Sequence, residues 1–279
     1  MSAPRICWLW LLAATPIAGL AQQSPATPSA PASVATPATP VWHADDRLLL
    51  SADGATLTDT DGGGGGSIGY LHQSTPDLSF GVAAEHQRLA GAYWTFGSVS
   101  GAFSHRLTDS VRWSMHGEVH EGAGHTGEHS FDYGIEALGV SATTHGLTAD
   151  LEERQIDVDN NHGSLPKVTL SKAWGNSWLT TFAYAYSFGG NLNTEYSLVR
   201  VDFYRPGYSL LGGGTFGRVN PAVVNVNGLL LSEAKHLNEL FAGITKPVHR
   251  VDLSLLADEL DLAGSKRFTV TLSATLHLH

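Results

Sequence analysis

The chain has 279 residues and a formal net charge of −10. Because no excess of basic side chains is present to neutralise phosphate charge, nucleic acid is excluded as an expected partner. No segment beyond the N-terminal leader approaches the roughly 18 to 20 consecutive apolar residues of a membrane helix, whereas a membrane-spanning strand needs only about 9 to 11. The 31 glycines and the many Thr, Ser and aromatic residues favour a β-rich fold.

The first 21 residues have the pattern of a secretory signal peptide. Arg5 provides the positive charge and Ile6–Leu20 the apolar core. Gly19-Leu20-Ala21 supplies small residues at the site that signal peptidase reads, so we expect cleavage after Ala21. The single cysteine, Cys7, lies inside this segment, and the mature chain is therefore predicted to contain no disulfide.

Residues 22–66 are predicted to be a disordered periplasmic segment. Its first part is rich in Pro, Ala, Ser and Thr and carries no charge, and it ends in the five-glycine run Gly62–Gly66. Neither composition can bury a hydrophobic core. Within this segment, Arg47–Ser51 is compatible with a first strand as well as with periplasmic chain.

Residues 67–279 show repeated alternation of apolar and polar side chains, most clearly in the last strand. From Phe268 to Leu278 every second residue is apolar, and the residues between are Thr, Ser or His. Because side chains alternate across a strand, this pattern predicts one apolar and one polar face. Similar segments recur about every 20 residues, which fits membrane-crossing strands better than a soluble sandwich. We therefore predict an all-β fold, an antiparallel transmembrane β-barrel of about 12 strands (10–14).

The polar faces of these strands predict the residues of the barrel interior. If the apolar face contacts lipid, the alternate face lines the lumen. For the last strand, the Phe268-to-Leu278 face is expected to contact lipid, and the strand is expected to pair with Val248–Ala257 and with the first strand. The predicted lumen-lining residues are Arg112, His116, Glu118, His120, Asp132, Glu136, Glu152, Arg250 and Asp252.

With its amphipathic strands and the terminal segment Phe268–Leu276, the chain resembles the outer-membrane β-barrel proteins of Gram-negative bacteria, and within them the YaiO-like barrels. The resemblance implies a location in the outer membrane. It also implies outer-membrane lipids, lipopolysaccharide and the barrel-assembly machinery as partners, and no resident cofactor. One departure is the ending Leu278-His279, where such proteins usually carry an aromatic residue.

One local motif suggests metal binding. Strand alternation places His116, Glu118 and His120 on one face, and two imidazoles with a carboxylate are ligands that zinc prefers. The alternative is a hydrated lumen wall that happens to be rich in histidine. A second group of oxygen ligands, the acidic run from Asp150 to Asn161, lacks the spacing of any known calcium loop.

The predicted function is a narrow pore, or an export or structural barrel, linked to the passage of small solutes or polysaccharide. One alternative is an outer-membrane lipid hydrolase, because His72 and Ser74 lie two apart on one face and could form a base and nucleophile. The other alternative is a secreted, soluble β-sandwich binding protein. No motif supports an enzyme assignment.

Overall fold

The computed structural model describes residues 45–58, 62–89, 92–126, 129–158, 161–190, 192–219, 235–262 and 265–278. Regular structure in these ranges is entirely β-strand. No helix in them is long and apolar enough to cross a membrane. The signal peptide predicted at residues 1–21, the chain up to residue 44 and His279 lie outside the described residues.

Fourteen strands form the fold. They are β1 (Asp45–Leu57), β2 (Gly63–Thr75), β3 (Leu78–Leu89), β4 (Ala92–Arg106), β5 (Val111–Thr126), β6 (His129–Thr144), β7 (Leu147–Val158), β8 (Asn161–Trp174), β9 (Trp178–Tyr186), β10 (Glu195–Arg205), β11 (Tyr208–Val219), β12 (Lys235–Val248), β13 (Val251–Leu262) and β14 (Ser265–His277). The predicted all-β class is confirmed, and the strand count lies at the upper limit of the predicted range.

The strands close into a single antiparallel barrel. Each strand pairs with its neighbours in sequence, and β1 pairs with β14 to complete the ring. The last strand therefore has the two partners expected for it, β13 and the first strand. A closed barrel has no unpaired edge, which removes the soluble β-sandwich from consideration.

The barrel begins earlier than the sequence predicted, and this corrects the boundary at residue 67. β1 and the first four residues of β2, Gly63–Gly66, lie within the segment 22–66 that the composition predicts to be disordered. The glycine run Gly63–Gly66 pairs through its backbone with β1 on one side and β3 on the other. Strand pairing needs only backbone N–H and C=O groups, so a run without side chains can form it although its composition gives no alternation to recognise.

The two ends of the barrel differ. At one end, called the turn end, the strands are joined by connections at residues 76–77, 107–110, 145–146, 175–177, 206–207 and 249–250. Pro206-Gly207 shows why such connections are tight: proline fixes its own φ, and Gly207 adopts a φ of +90° that favours glycine. The opposite end, called the loop end, carries the eight-residue connection 187–194 between β9 and β10.

Apolar side chains change faces along the strands. In β6, Leu138 and Val140 point outward near the turn end, whereas Phe131 and Ile135 point into the barrel near the loop end. In β7 the outward Leu151 is followed by the inward, buried Ile156. On β6 and β7 the turn-end half, called the lower half, is thus apolar outside and polar inside, and the loop-end half, called the upper half, has the reverse arrangement.

The outer surface reflects this division. The outer apolar band of the lower half includes Leu50, Val82, Val99, Met115, Leu138, Leu151, Val168, Phe182, Val201, Leu210, Ile244, Leu253 and Leu272. It extends about eight residues along each strand, roughly 20 Å at a strand tilt of about 40°, close to the 25 Å band of membrane barrels. Above it the outer face is mixed. Exposed polar residues there are Glu121, Asp132, Glu136, Gln155, Asp157, His162, Arg218, Asn238 and Glu259, and exposed apolar or aromatic residues are Tyr93, Tyr186, Phe216, Leu240 and Phe268.

Candidate functional site: the barrel lumen

The lower lumen is lined by small hydroxyl side chains that pair across neighbouring strands. Ser51 Oγ lies 2.7 Å from Ser67 Oγ, and Ser114 Oγ lies 2.6 Å from Ser141 Oγ. Further pairs are Thr143–Thr148, Ser171–Thr181 and Thr245–Ser254, at 2.8 to 3.0 Å between hydroxyl oxygens. These short side chains leave space in the lower half and offer water both donors and acceptors.

A lumen ion-pair cluster lies on one wall, above these hydroxyl groups. It consists of His116, Glu118 and His120 on β5, Asp150, Glu152 and Arg154 on β7, and Lys167 on β8. Glu152 is its centre, because Oε1 accepts from Arg154 Nε at 2.5 Å and from Lys167 Nζ at 2.8 Å. Arg154 Nη2 also lies 3.3 Å from Glu118 Oε1, so this arginine joins two carboxylates. Because each of these charges has an oppositely charged partner, their mutual attraction offsets the cost of removing them from water.

Small residues on β6 allow side chains of β5 and β7 to contact each other across it. His116 and Glu152 both pair with Gly139, and Glu118 and Arg154 both pair with Ala137. A Cβ atom on Gly139 would lie 2.3 Å from His116 Nε2, so the imidazole occupies the space that a side chain there would need. The absence of that side chain is what lets His116 reach Glu152, 3.3 Å away.

Carboxylates outnumber cationic groups among the described strand residues that face the lumen. The carboxylates are Asp45, Asp53, Glu85, Glu118, Asp150, Glu152, Asp202, Glu239, Asp252 and Asp258. The Arg and Lys side chains are Arg47, Arg106, Arg112, Arg154, Lys167, Arg200 and Arg267. The fixed charge of the interior is therefore negative, which favours cations over anions inside it.

An apolar plug lies in the upper lumen, beside buried polar side chains such as Thr215 and Arg267. It is a contiguous cluster of buried side chains: Ile135, Ile156, Leu165, Ala185, Leu192, Leu237 and Leu260, with Leu57, Tyr133 and Tyr196 packed against it. β6 and β13 are seven strands apart in a ring of 14, so a cluster containing Ile135 and Leu260 reaches across the barrel. The polar space of the lower half therefore ends at an apolar layer.

Leu192 reaches the apolar plug from the connection between β9 and β10. Pairing of β8 with β9 is regular up to Lys167 and then stops next to Pro166, which has no N–H to donate. The chain then turns inward, and only 1% of Leu192 remains exposed. Gly163 provides its space, since a Cβ atom there would lie 2.2 Å from Leu192 Cδ1.

Two hydrogen bonds join the first and last residues of this connection, Ser187 and Thr194. Ser187 N donates to Thr194 O at 2.7 Å, and Thr194 N donates to Ser187 Oγ at 2.6 Å. Thr194 Oγ1 also donates to Leu192 O at 2.6 Å. The segment is thus a closed loop held by its own polar groups, which leaves Leu192 as its apolar tip.

The structure places six of the nine predicted lumen residues on the inner face of the barrel. Those on the inner face are Arg112, His116, Glu118, His120, Glu152 and Asp252. Asp132 and Glu136 are exposed on the outer face instead, where Glu136 pairs with the outward Val119. Their apolar neighbours Phe131 and Ile135 face inward because they belong to the upper half. Arg250 lies in the turn between β12 and β13.

The histidine motif separates into two contacts. His120 Nε2 lies 3.3 Å from Glu118 Oε2, as expected for residues on one face. His116 instead faces β7, with Nδ1 3.7 Å from Asp150 Oδ2 and Nε2 3.3 Å from Glu152 Oε2. Asp150 and Glu152 are the two ligands that the metal prediction did not include. Only the strand register, which aligns Gly139 with both His116 and Glu152, brings them within reach of His116.

The proposed hydrolase pair is not assembled among the described contacts. His72 Nδ1 lies 2.6 Å from Asp46 Oδ1 on the outer face near the turn end, so a base and an orienting carboxylate are present. The Ser74 hydroxyl, however, donates to the Leu78 carbonyl at 3.4 Å, next to a bulge in the pairing of β2 with β3. A nucleophile must contact its base, and this hydroxyl is engaged elsewhere.

Solved structures with a similar fold are outer-membrane channels. A FadL homologue from Pseudomonas aeruginosa superimposes with a TM-score of 0.53 at 8% identity, covering 85% of this chain and 90% of its own. The CymD monoaromatic hydrocarbon channel gives a TM-score of 0.51 at 10% identity, with 84% and 89% covered. The TodX monoaromatic hydrocarbon channel deltaS2 mutant also gives 0.51, at 8% identity, with 85% and 90% covered. Identities this low show a shared fold and nothing further.

No protein-family model and no curated protein matches the sequence.

Proposed function

We propose that the protein is an outer-membrane β-barrel of a Gram-negative bacterium that provides a narrow, gated passage for small solutes. The observation that carries this proposal is the division of the lumen into a polar lower half and the apolar plug above it. Apolar constrictions close pores by excluding water, so this layer would act as the gate. A sugar polymer would find few polar partners in it, which favours small solutes over polysaccharide.

The outer surface supports the membrane placement. The outer apolar band matches the hydrocarbon layer, and Trp113, Trp174 and Trp178 lie at its lower border, where aromatic residues anchor barrels. With the turn end in the periplasm, the polar upper half would project from the outer leaflet. Outer-membrane lipids, lipopolysaccharide and the assembly machinery are the partners that this placement implies. The narrower likeness to YaiO-like barrels stays a prediction.

Planar-bilayer recordings test the gate. The wild-type barrel is expected to pass little current, and replacing both Ile156 and Leu192 with Gly is expected to raise the single-channel conductance, with cations carrying most of it. The matched control replaces Leu138 and Leu151 with Gly, because these residues have similar size but lie on the outer face of β6 and β7. Heat-modifiable gel migration verifies folding of each variant.

The recordings also distinguish the second candidate, a structural barrel that conducts nothing. If the folded plug variant passes no more current than the wild type, the passage proposal is wrong and the structural role remains. If the current of the plug variant favours anions, the argument from lumen charge is wrong.

A further inference from the structure

Three metal-ligating side chains converge on one point of the lumen wall. One ring nitrogen of His116, one carboxylate oxygen of Asp150 and one of Glu152 lie within 4.8 Å of one another. The ligands come from β5 and β7, and Gly139 on the intervening β6 leaves the space that His116 occupies. All three residues are at least partly buried. The convergence is therefore built by the register of three strands.

We propose that His116, Asp150 and Glu152 bind a divalent transition-metal ion in the lower lumen, for which zinc is the probe. Ligands at the 2.0 to 2.2 Å typical of zinc stand about 3.4 Å apart in a tetrahedral site. His116 Nε2 and Glu152 Oε2 are 3.3 Å apart, which matches that separation without movement of the backbone. An imidazole with two carboxylates favours transition metals over Mg²⁺, which prefers oxygen ligands and retains its water.

The neighbouring cations support this role of Glu152. Its Oε1 atom is occupied by Arg154 and Lys167, at 2.5 and 2.8 Å, and its Oε2 atom faces His116. Carboxylates that bind metals are commonly oriented by hydrogen bonds to their second oxygen. Arg154 and Lys167 therefore hold Glu152 in position and offset part of its charge before an ion enters.

The site differs from the one that the sequence suggested, because Glu118 and His120 belong to a separate contact. Glu118 is shared between His120 and Arg154, each at 3.3 Å. In the described structure, the group of metal-ligating atoms close enough to share an ion contains His116 and excludes His120. Binding at this site requires no conduction, so the proposal holds whether or not the barrel passes solutes.

Isothermal titration of the untagged barrel in detergent micelles with Zn²⁺ tests the site. One ion per barrel is expected to bind, with no comparable binding of Mg²⁺. His116→Ala and Asp150→Asn are expected to weaken zinc binding by more than the roughly 10- to 100-fold that loss of an outer-shell partner costs. Lys167→Met is expected to weaken binding within that range.

His120→Ala is the matched control, since it removes an imidazole from the same strand and face. Zinc affinity within about threefold of the wild type is expected for it, because an outer-shell loss would already cost more. Gly139→Val tests the geometry without removing a ligand: the added side chain displaces His116 and should abolish binding in a barrel that retains heat-modifiable migration. The proposal is overturned if the wild type binds no zinc, or if His120→Ala and His116→Ala lose affinity equally.

Discussion

Leu151 and Gln155 both point away from the lumen on β7, four residues apart, yet they lie in different surroundings. Leu151 pairs with Val140 and Val168, both exposed apolar side chains of the outer apolar band. Gln155 pairs with Glu136 and Ser164 above that band. The same substitution at the two positions, Leu151→Arg and Gln155→Arg, therefore tests whether the outer face changes from lipid to water between them.

The expected difference is large enough to measure. An arginine on the lipid face near the bilayer centre costs about 2–4 kcal/mol of barrel stability, and near the interface about 0–1 kcal/mol. We therefore expect Leu151→Arg to lower the stability of the barrel by about 2–4 kcal/mol. We expect Gln155→Arg to change stability by less than about 1 kcal/mol, since Glu136 offers its guanidinium an exposed ion pair. A gap of about 2 kcal/mol corresponds to roughly 30-fold in the folding equilibrium constant.

Guanidinium unfolding of the barrel in phosphatidylcholine vesicles, followed by tryptophan fluorescence, measures both costs. Agreement of the unfolding and refolding curves establishes that equilibrium has been reached. Equal destabilisation by the two arginines would refute the division into a lipid-facing lower half and a water-facing upper half. A cost above about 2 kcal/mol for Gln155→Arg would place that residue in the hydrocarbon and move the band upward.

Three further expectations follow from the interior. Leu192→Ala should lower the free energy of unfolding by about 2–5 kcal/mol in the same titration, because it empties a buried site; no change would show that the tip does not pack. Arg267→Met should cost about 3–5 kcal/mol, because Arg267 is 2% exposed and its Nη2 lies 3.4 Å from Asp258 Oδ2; a neutral effect would mean that the carboxylate is solvated. In barrels that keep one tryptophan, brominated lipid should quench Trp113 at the lower border and leave Trp94 inside the upper half unquenched; equal quenching would contradict the assigned faces.

The last strand could be predicted from sequence because its apolar face never changes. From Phe268 to Leu278 the outward residues remain apolar, and the inward face near the loop end is polar, with Thr269 and Arg267. The period of two therefore identifies lipid and lumen faces along the whole strand. β5 is similar over its lower half, which is why His116 and Glu118 were assigned to the lumen.

β6 could not be assigned in the same way. Its apolar residues occupy odd positions up to Ala137 and even positions from Leu138. Alternation specifies two faces but not which of them meets lipid, and the answer differs between the two halves of this strand. Such a reversal of phase within one strand is a sequence signal that indicates an apolar layer inside the barrel.

The convergence of His116, Asp150 and Glu152 depends on strand register, which the alternation of residues along the sequence does not reveal. Asp150 lies 34 positions after His116, and the two meet only because the register places Gly139 between β5 and β7 at that level. A shift of one residue in either pairing would turn one partner to the outer face. Leu192 is equally non-local, because its position depends on where the pairing of β8 with β9 ends.

Charged side chains on the outer face of the upper half also affect how the barrel enters a membrane. If insertion proceeds from the periplasm with the loop end leading, Asp132, Glu136, Glu153 and Asp157 must all cross the hydrocarbon layer before the chain is in place. Charged groups on the lipid face raise the free energy of that intermediate, so unassisted insertion should be slow. Because the same barrier opposes withdrawal, a barrel that has inserted remains kinetically locked in one orientation.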